Sequence, residues 1–512
     1  TKEELDMPKY LIAHDLGTSG NKATLFTTDG EYVKSTVAGY DTNFFNANWA
    51  EQNPQDWWRA VCTSTRELVA GIAGSEVAAI SFSGQMMGCL CLDKNGQPLR
   101  DHIIWADMRA VREEEFIREN IGVEEFYHIT GHRPSSSYTL EKLMWIKNNE
   151  PDVYKKVYKV LNAKDYIAYK MTGRFVTDYS DATGTNAFDL NTFEWSEKIL
   201  GAVGVAGELF PEAVDSAQVV GELITAAADE CGLVSGIPVV IGAGDGTSAG
   251  VGAGSVREGV TYNCLGSSSW IASTTKKPVY DARMRTFNWA HAVPGMVIPC
   301  GTMQAAGNSY GWMKKELCKE ETERAKREGV SAYDLINAQI AGASVGSNGL
   351  YYLPYLIGER SPRWNPNAKG AFIGLTMEHT HADMLRSVVE GVGMNLKIIL
   401  DTMRAHIEIK SIIAIGGLAK SEVCTQIFTD VFGVDMLPLN HLEEATSIGA
   451  AVCAGVGVGA LKSFDEVDKF VHPVGKFTPN AENHAIYEKM SGIFDRSYSA
   501  LVDVFEEMAE MQ

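Results

Sequence analysis

The chain has 512 residues, of which 45% are hydrophobic and 21% charged, and its formal net charge is −20. This length exceeds what one hydrophobic core normally supports, so we expect two domains with a cleft between them. An acidic chain without a cluster of five or more Lys and Arg residues lacks the electrostatic footprint of a protein that binds nucleic acid or anionic membranes.

The first ten residues contain no apolar signal core, and no run of 18 apolar residues occurs in the chain. Nine cysteines without a C-x-x-C pair indicate neither a disulfide framework nor a zinc site. We therefore expect a cytoplasmic protein that binds neither nucleic acid nor membrane. The sequence does not decide the oligomeric state, and a homodimer remains an option.

The N-terminal segment predicts an antiparallel meander. A strand over 10–14 is followed by a glycine-rich turn over 17–20 and by a second strand over 22–27. A turn then leads into a third strand near 32–37.

The first turn of this meander contains groups that suit a phosphate ligand. Its successive backbone N–H groups, the hydroxyls of Thr18 and Ser19 and the ammonium of Lys22 suit a polyphosphate, and the carboxylate of Asp15 suits its metal ion. The alternative is an ordinary β-turn in which the glycines supply positive φ angles.

Strands and helices alternate after the meander. A helix over 54–71, opened by the cap residue Asn53, precedes a strand over 77–83. Further along, a strand over 237–241 leads directly into the glycine-rich segment 242–254, where a ligand is expected to approach the backbone.

This glycine-rich segment contains a candidate general base. Asp245 lies between Gly244 and Gly246, after a buried strand, where its carboxylate can accept the proton of a substrate hydroxyl. One alternative is that Asp245 caps the next helix. Another is a dinucleotide fingerprint that starts at Gly242, but Thr247 occupies its third glycine position.

The strand, turn, strand pattern returns in the second half of the chain. Strands over 260–264 and 270–273 enclose a second glycine- and serine-rich turn over 265–269. Since two such turns in duplicated halves can face each other across a cleft, Gly266 and Ser267 favour a two-sided phosphate clamp.

We place the domain boundary between the two turns, with an N-terminal domain over 1–254 and a C-terminal domain over 255–512. Four more elements are predicted in the second domain: a strand over 412–415 and helices over 421–432, 443–460 and 481–512.

Aromatic, sulfur and polar side chains near the end of the strand over 77–83 suit a polyol site. Gln85, Met86, Met87, Trp105 and Asp107 combine groups that cover C–H faces with groups that bind hydroxyls. The alternative is that the methionines and the tryptophan belong to the core and that Asp107 pairs with a nearby arginine.

Taken in order, these segments resemble the FGGY carbohydrate kinases, most closely their xylulokinase branch, from residue 10 to about residue 460. The motifs that carry the resemblance are HDLGTSGNK (14–22), AEQNPQDWW (50–58), SGQMMG (83–88), WADMR (105–109), KDYIAYKMTGRFVTDYSDATGT (164–185), GAGDGTSAGVG (242–252), LGSSS (265–269), YLPYLIGERSP (352–362), EGVGMNL (390–396), IGGLAKSE (415–422) and EEATSIGAAV (443–452).

The resemblance implies an α/β fold of two actin-like (ribonuclease H-like) ATPase domains that close over ATP, Mg²⁺ and a sugar. It assigns the metal- and phosphate-associated carboxylate to Asp15 and the general base to Asp245. The nucleotide-binding residues that it implies are Thr18, Ser19, Lys22, Gly266, Ser267, Gly307, Gly416, Gly417 and Ser421.

Three departures from the family pattern concern the ligands. Met87 replaces a histidine of the xylulokinase Met-His-Gly pattern and cannot donate a hydrogen bond. Ala106 and Leu418 replace an asparagine and a glycine. A ketopentose such as xylulose is the favoured substrate, with another polyol or a deoxy sugar as the alternative. Rivals of another class are a non-catalytic sugar sensor and an actin-like ATPase without a sugar site.

Overall fold

Two mixed β-sheets, one from each half of the chain, form the framework of the computed structural model, which describes residues 9–511. The strands are β1 (Tyr10–Leu16), β2 (Gly20–Thr27), β3 (Tyr32–Gly39), β4 (Asn43–Phe45), β5 (Trp49–Gln52), β6 (Val77–Gly84), β7 (Leu90–Leu92), β8 (His102–Ile103), β9 (Lys159–Leu161), β10 (Val176–Asp178), β11 (Phe188–Asp189), β12 (Glu194–Trp195), β13 (Glu212–Val214), β14 (Val219–Glu222), β15 (Pro238–Val240), β16 (Ala243–Gly244), β17 (Thr261–Leu265), β18 (Ser269–Ser273), β19 (Phe287–Ala290), β20 (Val297–Met303), β21 (Tyr351–Leu353), β22 (Ala371–Ile373), β23 (Ser411–Ile415) and β24 (Asp435–Pro438).

Helices connect these strands and cover the sheets. They are α1 (Pro54–Leu68), α2 (Val111–Asn120), α3 (Val123–Thr130), α4 (Thr139–Asn149), α5 (Pro151–Tyr154), α6 (Ala163–Thr172), α7 (Tyr179–Thr183), α8 (Glu197–Val203), α9 (Thr225–Cys231), α10 (Asp245–Gly252), α11 (Gly307–Glu316), α12 (Lys319–Glu328), α13 (Ala332–Gly342), α14 (His381–Arg404), α15 (Glu422–Phe432), α16 (Ala445–Gly457) and α17 (Ala481–Glu510).

The first sheet has the order β14-β15-β6-β1-β2-β3, and β16 also pairs with β6. Strands β1, β2 and β3 are antiparallel, as the meander predicted, whereas β6 is parallel to β1. Leu11, Ile12 and Ala13 of β1 are all fully buried, because both faces of this central strand are covered. The C-terminal end of β1 lies beside the C-terminal ends of β6 and β16, at the same edge of the sheet.

The second sheet has the order β19-β20-β18-β17-β23-β24. Without β19, its order is β20-β18-β17-β23-β24, which is 3-2-1-4-5 when these five strands are numbered along the chain. The first sheet contains the same order in β3-β2-β1-β6-β15. In both sheets strand 1 is antiparallel to strand 2 and parallel to strand 4. The duplication that the two glycine-rich turns predicted is thus present in the topology.

Helix α1 begins where the sequence predicted. The Asn53 side chain accepts a hydrogen bond from the Gln55 N–H at 2.9 Å, and Pro54 occupies the first helical position. The helix ends at Leu68, three residues before the predicted end. The last predicted helix begins at Ala481 as expected, and its predicted end at residue 512 lies outside the described residues.

Helices α10 and α16 connect the two halves. Helix α16 follows the last strand of the second sheet but packs against α10 and against β1 and β6 of the first sheet. A Cβ atom on Gly252 would lie 1.8 Å from the Ala445 carbonyl oxygen, and one on Gly449 would lie 2.1 Å from that of Ser248. The two helix backbones therefore touch, and only glycine fits at these positions.

The second half has its own core, in which α14 packs against β21 and α15, and α17 covers α15. Its buried aromatic side chains include Tyr352, Phe428 and Phe494. Within residues 9–511 no helix has the length and apolar character needed to span a membrane.

Candidate functional site

The two candidate carboxylates lie on either side of β6. Asp15, near the end of β1, is paired in register with Ser83 of β6, and Ala243 of β16 is paired with the same serine from the other side. Asp245 follows two residues later as the first residue of α10. Since neighbouring strands lie about 4.8 Å apart, the backbones that carry the two carboxylates are separated by about 10 Å.

The carboxyl group of Asp245 has a perturbed pKa. Desolvation at the bottom of the cleft, followed by the negative charge of Asp15, raises the pKa of Asp245 to about 7. The Gly246 N–H donates to Asp245 Oδ1 at 2.7 Å and opposes this shift. A carboxylate with this pKa is suited to accept a proton near neutral pH.

A polar network behind Asp245 holds the backbone before it. The Gly244 N–H donates to Ser180 Oγ at 2.8 Å, and the Ser180 hydroxyl donates to Asp178 Oδ2 at 2.6 Å. Asp178 in turn lies 2.8 Å from the buried Lys164 ammonium. All three side chains belong to the motif over 164–185, and the sequence had suggested Lys164 as part of a polyol site.

Asp15 contacts the opposite half of the chain. The Thr446 hydroxyl, at the start of α16, donates to Asp15 Oδ2 at 2.6 Å. Asp15 is only partly buried, and among residues 9–511 no Lys or Arg side chain forms an ion pair with it. One oxygen of the carboxylate therefore remains free for a ligand.

The first hairpin lies beside the candidate sugar residues. The Trp105 Nε1–H donates to the Thr18 hydroxyl at 3.0 Å, and the Gln52 amide donates to the Thr18 carbonyl at 2.6 Å. Gln85 donates to Gln52 Oε1 at 2.7 Å from a buried position behind the hairpin. Gln85 thus supports the hairpin and does not line the pocket described below, and its contact with the sugar stays a prediction.

Lys22 and Ser19 differ in their availability to a phosphate. The Lys22 ammonium lies 2.9 Å from Glu444 Oε2 and 3.2 Å from the Glu443 carbonyl oxygen, so it is paired across the cleft. Ser19 is exposed at the tip of the hairpin. A phosphate would have to compete with Glu444 for Lys22, whereas Ser19 is open.

The second hairpin is packed against two of the predicted glycines. The Gly307 N–H donates to the Gly266 carbonyl at 2.9 Å, and a Cβ on Gly307 would lie 2.5 Å from that oxygen. Gly416 has a φ of 92°, and its Cβ would lie 2.7 Å from the Leu265 carbonyl carbon. The structure thus brings Gly307, Gly416 and the second hairpin, including Ser267, into one cluster.

The remaining predicted nucleotide residues continue this cluster along the chain. Gly417 follows Gly416, and a Cβ there would have Glu443 Oε1, at 4.0 Å, as its nearest neighbour. The Ser421 hydroxyl accepts a hydrogen bond from the Cys424 N–H at 3.2 Å and caps α15. This cap occupies one acceptor position of Ser421, while its hydroxyl hydrogen stays available to a ligand.

A pocket of about 230 Å³ lies between the halves, with Asp245 in its wall. Its lining residues are Met86, Met87, Trp105, Asp245, Gly246, Tyr262, Trp270, Phe287, Trp289, Ile298, Cys300, Thr302, Arg360 and Thr446. Aromatic rings and methionines with a few polar groups are the lining expected for a small polyol.

Met87 and Met86 are held in the pocket wall by a buried lysine and by a glycine, respectively. Met87 has a φ of 65°, and its carbonyl oxygen accepts a hydrogen bond from the Lys142 ammonium at 3.0 Å. Met86 packs so closely on Gly244 that a Cβ there would lie 2.5 Å from its sulfur. The hydrogen bond from Lys142 therefore fixes the backbone of Met87, and close packing on Gly244 fixes the side chain of Met86.

Asp107 is corrected, because it does not reach the pocket. Its side chain is fully buried, and it forms a bidentate ion pair with Arg109, with distances of 2.7 and 2.9 Å. Asp107 Oδ2 also accepts a hydrogen bond from the Ala50 N–H. The alternative of an Asp107–arginine pair is thus present, but as a buried pair and not on the surface.

Several pocket residues had no role in the sequence interpretation. Trp270 and Trp289 come from strands of the second sheet, and Arg360 comes from the loop after β21. Arg360 belongs to the motif over 352–362, which was the one signal that pointed to it. The strand residues carry no local signal, because alternation along a strand does not show which face meets a ligand.

We expect Gly416→Ala to raise the KM for ATP more than the KM for sugar. A methyl group cannot fit beside Leu265, and alanine disfavours the φ of 92°, so the second hairpin has to move. Steady-state kinetics with each substrate varied separately measures both constants. Gly311→Ala, with open space in α11, is the control, and an equal rise of both constants would contradict the prediction.

Both halves of the chain match models of one protein family. Residues 10–252 match the family model of the FGGY family of carbohydrate kinases, N-terminal domain, and residues 261–458 match the C-terminal domain. The chain belongs to the FGGY family of carbohydrate kinases. The family resemblance and the two-domain actin-like fold are thus confirmed, and the protein is an ATP-dependent sugar kinase.

The relatives of this FGGY kinase include kinases that are named for different substrates. The chain is 31% identical to a xylulose kinase of Bacillus subtilis, over 97% of this chain and 98% of the relative. It is 30% identical to a gluconokinase of the same organism, over 99% of both chains. A ligand-bound xylulose kinase from Lactobacillus acidophilus superposes with a TM-score of 0.91 at 26% identity, covering 98% of this chain and 100% of that chain.

Proposed function

We propose that this FGGY kinase phosphorylates a ketopentose such as D-xylulose at a hydroxyl group, with Asp245 as the general base. The observation that carries the proposal is the position of Asp245, whose pKa is raised to about 7, in the wall of a polyol-sized pocket that residues from both halves of the chain line. The similarity to two xylulose kinases supports the choice of sugar.

Proton transfer to Asp245 accompanies the attack of the sugar. Near neutral pH a large fraction of Asp245 is ionised, so its carboxylate can take the proton of the sugar hydroxyl. The hydroxyl oxygen then forms a bond to the γ-phosphorus as the bond to the β–γ bridging oxygen breaks. The products are the sugar phosphate and ADP, and the proton remains on Asp245 until solvent removes it.

Asp15 is the proposed contact of the nucleotide's Mg²⁺, which neutralises phosphate charge when bound. Mg²⁺ commonly binds through one or two carboxylates, phosphate oxygens and water. The free oxygen of Asp15 fits that chemistry. Residues 9–511 contain no cluster of three metal-ligating side chains, in line with an ion held mainly by the nucleotide.

The two hairpins and the glycine cluster are the proposed nucleotide site. Backbone N–H groups of the hairpins suit the phosphates, and the open space at Gly417 suits the base or ribose. The residues proposed for these contacts are Thr18, Ser19, Lys22, Gly266, Ser267, Gly307, Gly416, Gly417 and Ser421.

The proposed domains are 1–254 and 255–512, and they would close over the sugar and the nucleotide. We also propose a cytoplasmic location, where ATP is made and where the nine free thiols stay reduced. The expectation that the protein binds neither nucleic acid nor membrane stays a prediction, and so does the option of a homodimer.

We expect Met87→His to change the ranking of sugars. A histidine tolerates the positive φ of Met87 better than most residues, and it adds a hydrogen-bonding group to the pocket. A polar group in a sugar site discriminates between hydroxyl patterns by roughly 10-fold or more. The measurement is kcat/KM for D-xylulose, other ketopentoses, 6-deoxyketohexoses and glycerol.

The control for this substitution is Met377→His, because Met377 is fully exposed. It should leave the ranking as it is in the wild type. A ranking that is also unchanged in Met87→His would show that position 87 does not select the sugar. A wild type without activity on any ketopentose would contradict the proposed substrate.

A further inference from the structure

The pocket contains a cation that the mechanism does not use. Arg360 lines the pocket wall, and among residues 9–511 no carboxylate forms an ion pair with its guanidinium. By contrast Arg363, three residues later, pairs with Asp495 and donates to the Tyr355 hydroxyl at 3.0 Å. The Arg360 guanidinium is partly exposed and contacts the rings of Phe287 and Trp364, so its N–H donors can still bind a ligand that supplies oxygen acceptors.

A buried glutamate fixes the backbone of Arg360. Glu359 Oε1 accepts hydrogen bonds from the Arg360 N–H at 2.9 Å and from the Gln304 N–H at 2.7 Å. Glu359 Oε2 accepts one from the Asn395 amide at 2.8 Å. The glutamate therefore binds main chain and amide groups, and the neighbouring guanidinium is left to the pocket.

Arg360 and Asp245 have different neighbours in the pocket. The Arg360 guanidinium carbon is 5.7 Å from the ring centre of Phe287, and its charge lowers the pKa of the nearby buried His132 further than burial alone does. Asp245 instead experiences the charge of Asp15. A sugar whose reacting hydroxyl meets Asp245 would thus present another part of its carbon chain to Arg360.

The shape of a guanidinium restricts what it binds well. Its planar fork of N–H donors matches two oxygen atoms side by side, and its hydrogen bonds are strongest when the acceptor is ionised. A carboxylate has this arrangement, and so does a ketone flanked by a hydroxyl. An alditol of the same length has only tetrahedral carbons and offers weaker acceptors.

We propose that Arg360 selects the substrate, by binding a trigonal carbon that bears oxygen at the part of the sugar away from the phosphorylated hydroxyl. The substrate class is then a ketose or a sugar acid, and the corresponding alditols are rejected. This proposal rests on the sugar-kinase function proposed above. It gives Arg360 a direct contact with substrate and no part in the proton transfer.

The test uses two matched pairs of compounds: D-xylulose with xylitol, and D-gluconate with D-glucitol. We measure kcat/KM for each on the full-length wild type, on Arg360→Met and on Arg360→Lys. The wild type should prefer the trigonal member of one pair, and that pair identifies a ketose or an acid as the substrate. Arg360→Met should lose roughly 10- to 100-fold on that member, the effect of one hydrogen bond to a charged group.

On the alditol, Arg360→Met should change kcat/KM by less than about threefold, so the preference disappears. Arg360→Lys should restore part of it, because the charge is kept and the fork is lost. Arg363→Met is the matched control: it removes a paired arginine and should lower the melting temperature without changing the preference.

Two results would overturn the proposal: an equal loss on both members of a pair in Arg360→Met, or no loss on either. Binding followed by tryptophan fluorescence, which reports on Trp270 and Trp289 in the pocket wall, separates this proposal from the function it rests on. If the wild type binds but does not phosphorylate the trigonal compounds, the proposed ketopentose kinase fails while Arg360 is still tested by binding. If the wild type binds no member of either pair, both proposals fail.

Discussion

Replacing Asp245 by Asn is expected to lower kcat by about 10² to 10⁴ while sugar binding is retained, because an amide keeps the shape of the side chain but cannot accept the hydroxyl proton. The wild-type kcat/KM should fall as the pH drops below about 7, since the base must be ionised and its pKa is raised to about 7. This decrease at low pH, the acid limb of the pH profile, should be missing from the residual activity of Asp245→Asn.

The measurements are ADP release across a pH series and sugar binding by tryptophan fluorescence. Asp229→Asn, on the exposed face of α9, is the matched control and should behave as the wild type. Retention of more than about a tenth of wild-type turnover by Asp245→Asn would refute its assignment as the base.

Replacing Asp15 by Asn is expected to lower kcat about 100-fold or more, because the Mg²⁺ that Asp15 is proposed to position stabilises transition-state charge by several kcal/mol. It should also raise the Mg²⁺ concentration needed for half-maximal rate. A second effect concerns pH: the charge of Asp15 raises the pKa of Asp245, so its removal lowers that pKa. The acid limb of the residual activity should therefore move to lower pH.

Titrating Mg²⁺ and sugar separately against Asp15→Asn distinguishes the two roles that the residue could have. A change confined to the KM of the sugar would move Asp15 from the nucleotide to the sugar pocket. An acid limb that stays at its wild-type pH would mean that Asp15 does not act on Asp245.

The strands and turns of both hairpins could be predicted from the sequence because their signals are local. Alternation and glycine-rich turns located β1, β2, β17 and β18 to within about two residues. The segment over 242–254 was different. Its glycines indicated a close approach of a ligand, and a helix after Asp245 was only an alternative. Residues 245–252 do form α10, because packing against α16 outweighs the low helix propensity of glycine.

The site residues that belong to recognisable motifs could be predicted from the sequence. Those that reach the pocket from strands and loops distant in the sequence were missed. Asp15 and Asp245 lie in or beside glycine-rich segments that are visible in the sequence. Trp289 and Arg360 reach the pocket only through the arrangement of the second half, and no spacing along the chain encodes that. For Asp107 the sequence left open a contact with the sugar and a pair with an arginine, because spacing alone does not show that Arg109 binds its carboxylate.

The crossing of α10 and α16 limits how this chain can be divided. A fragment that ends at Gly254 would contain every strand of the first sheet but would lack α16, which covers one face of that sheet. The complementary fragment would carry α16 as a helix that is apolar on nearly all sides and has no sheet to cover. The two halves are therefore repeats in sequence order and topology but a single unit in folding. Recombination that replaced one half with that of a distant relative would have to preserve the contacts of Gly252 and Gly449. Otherwise α10 and α16 could not pack against each other, and both halves would be destabilised.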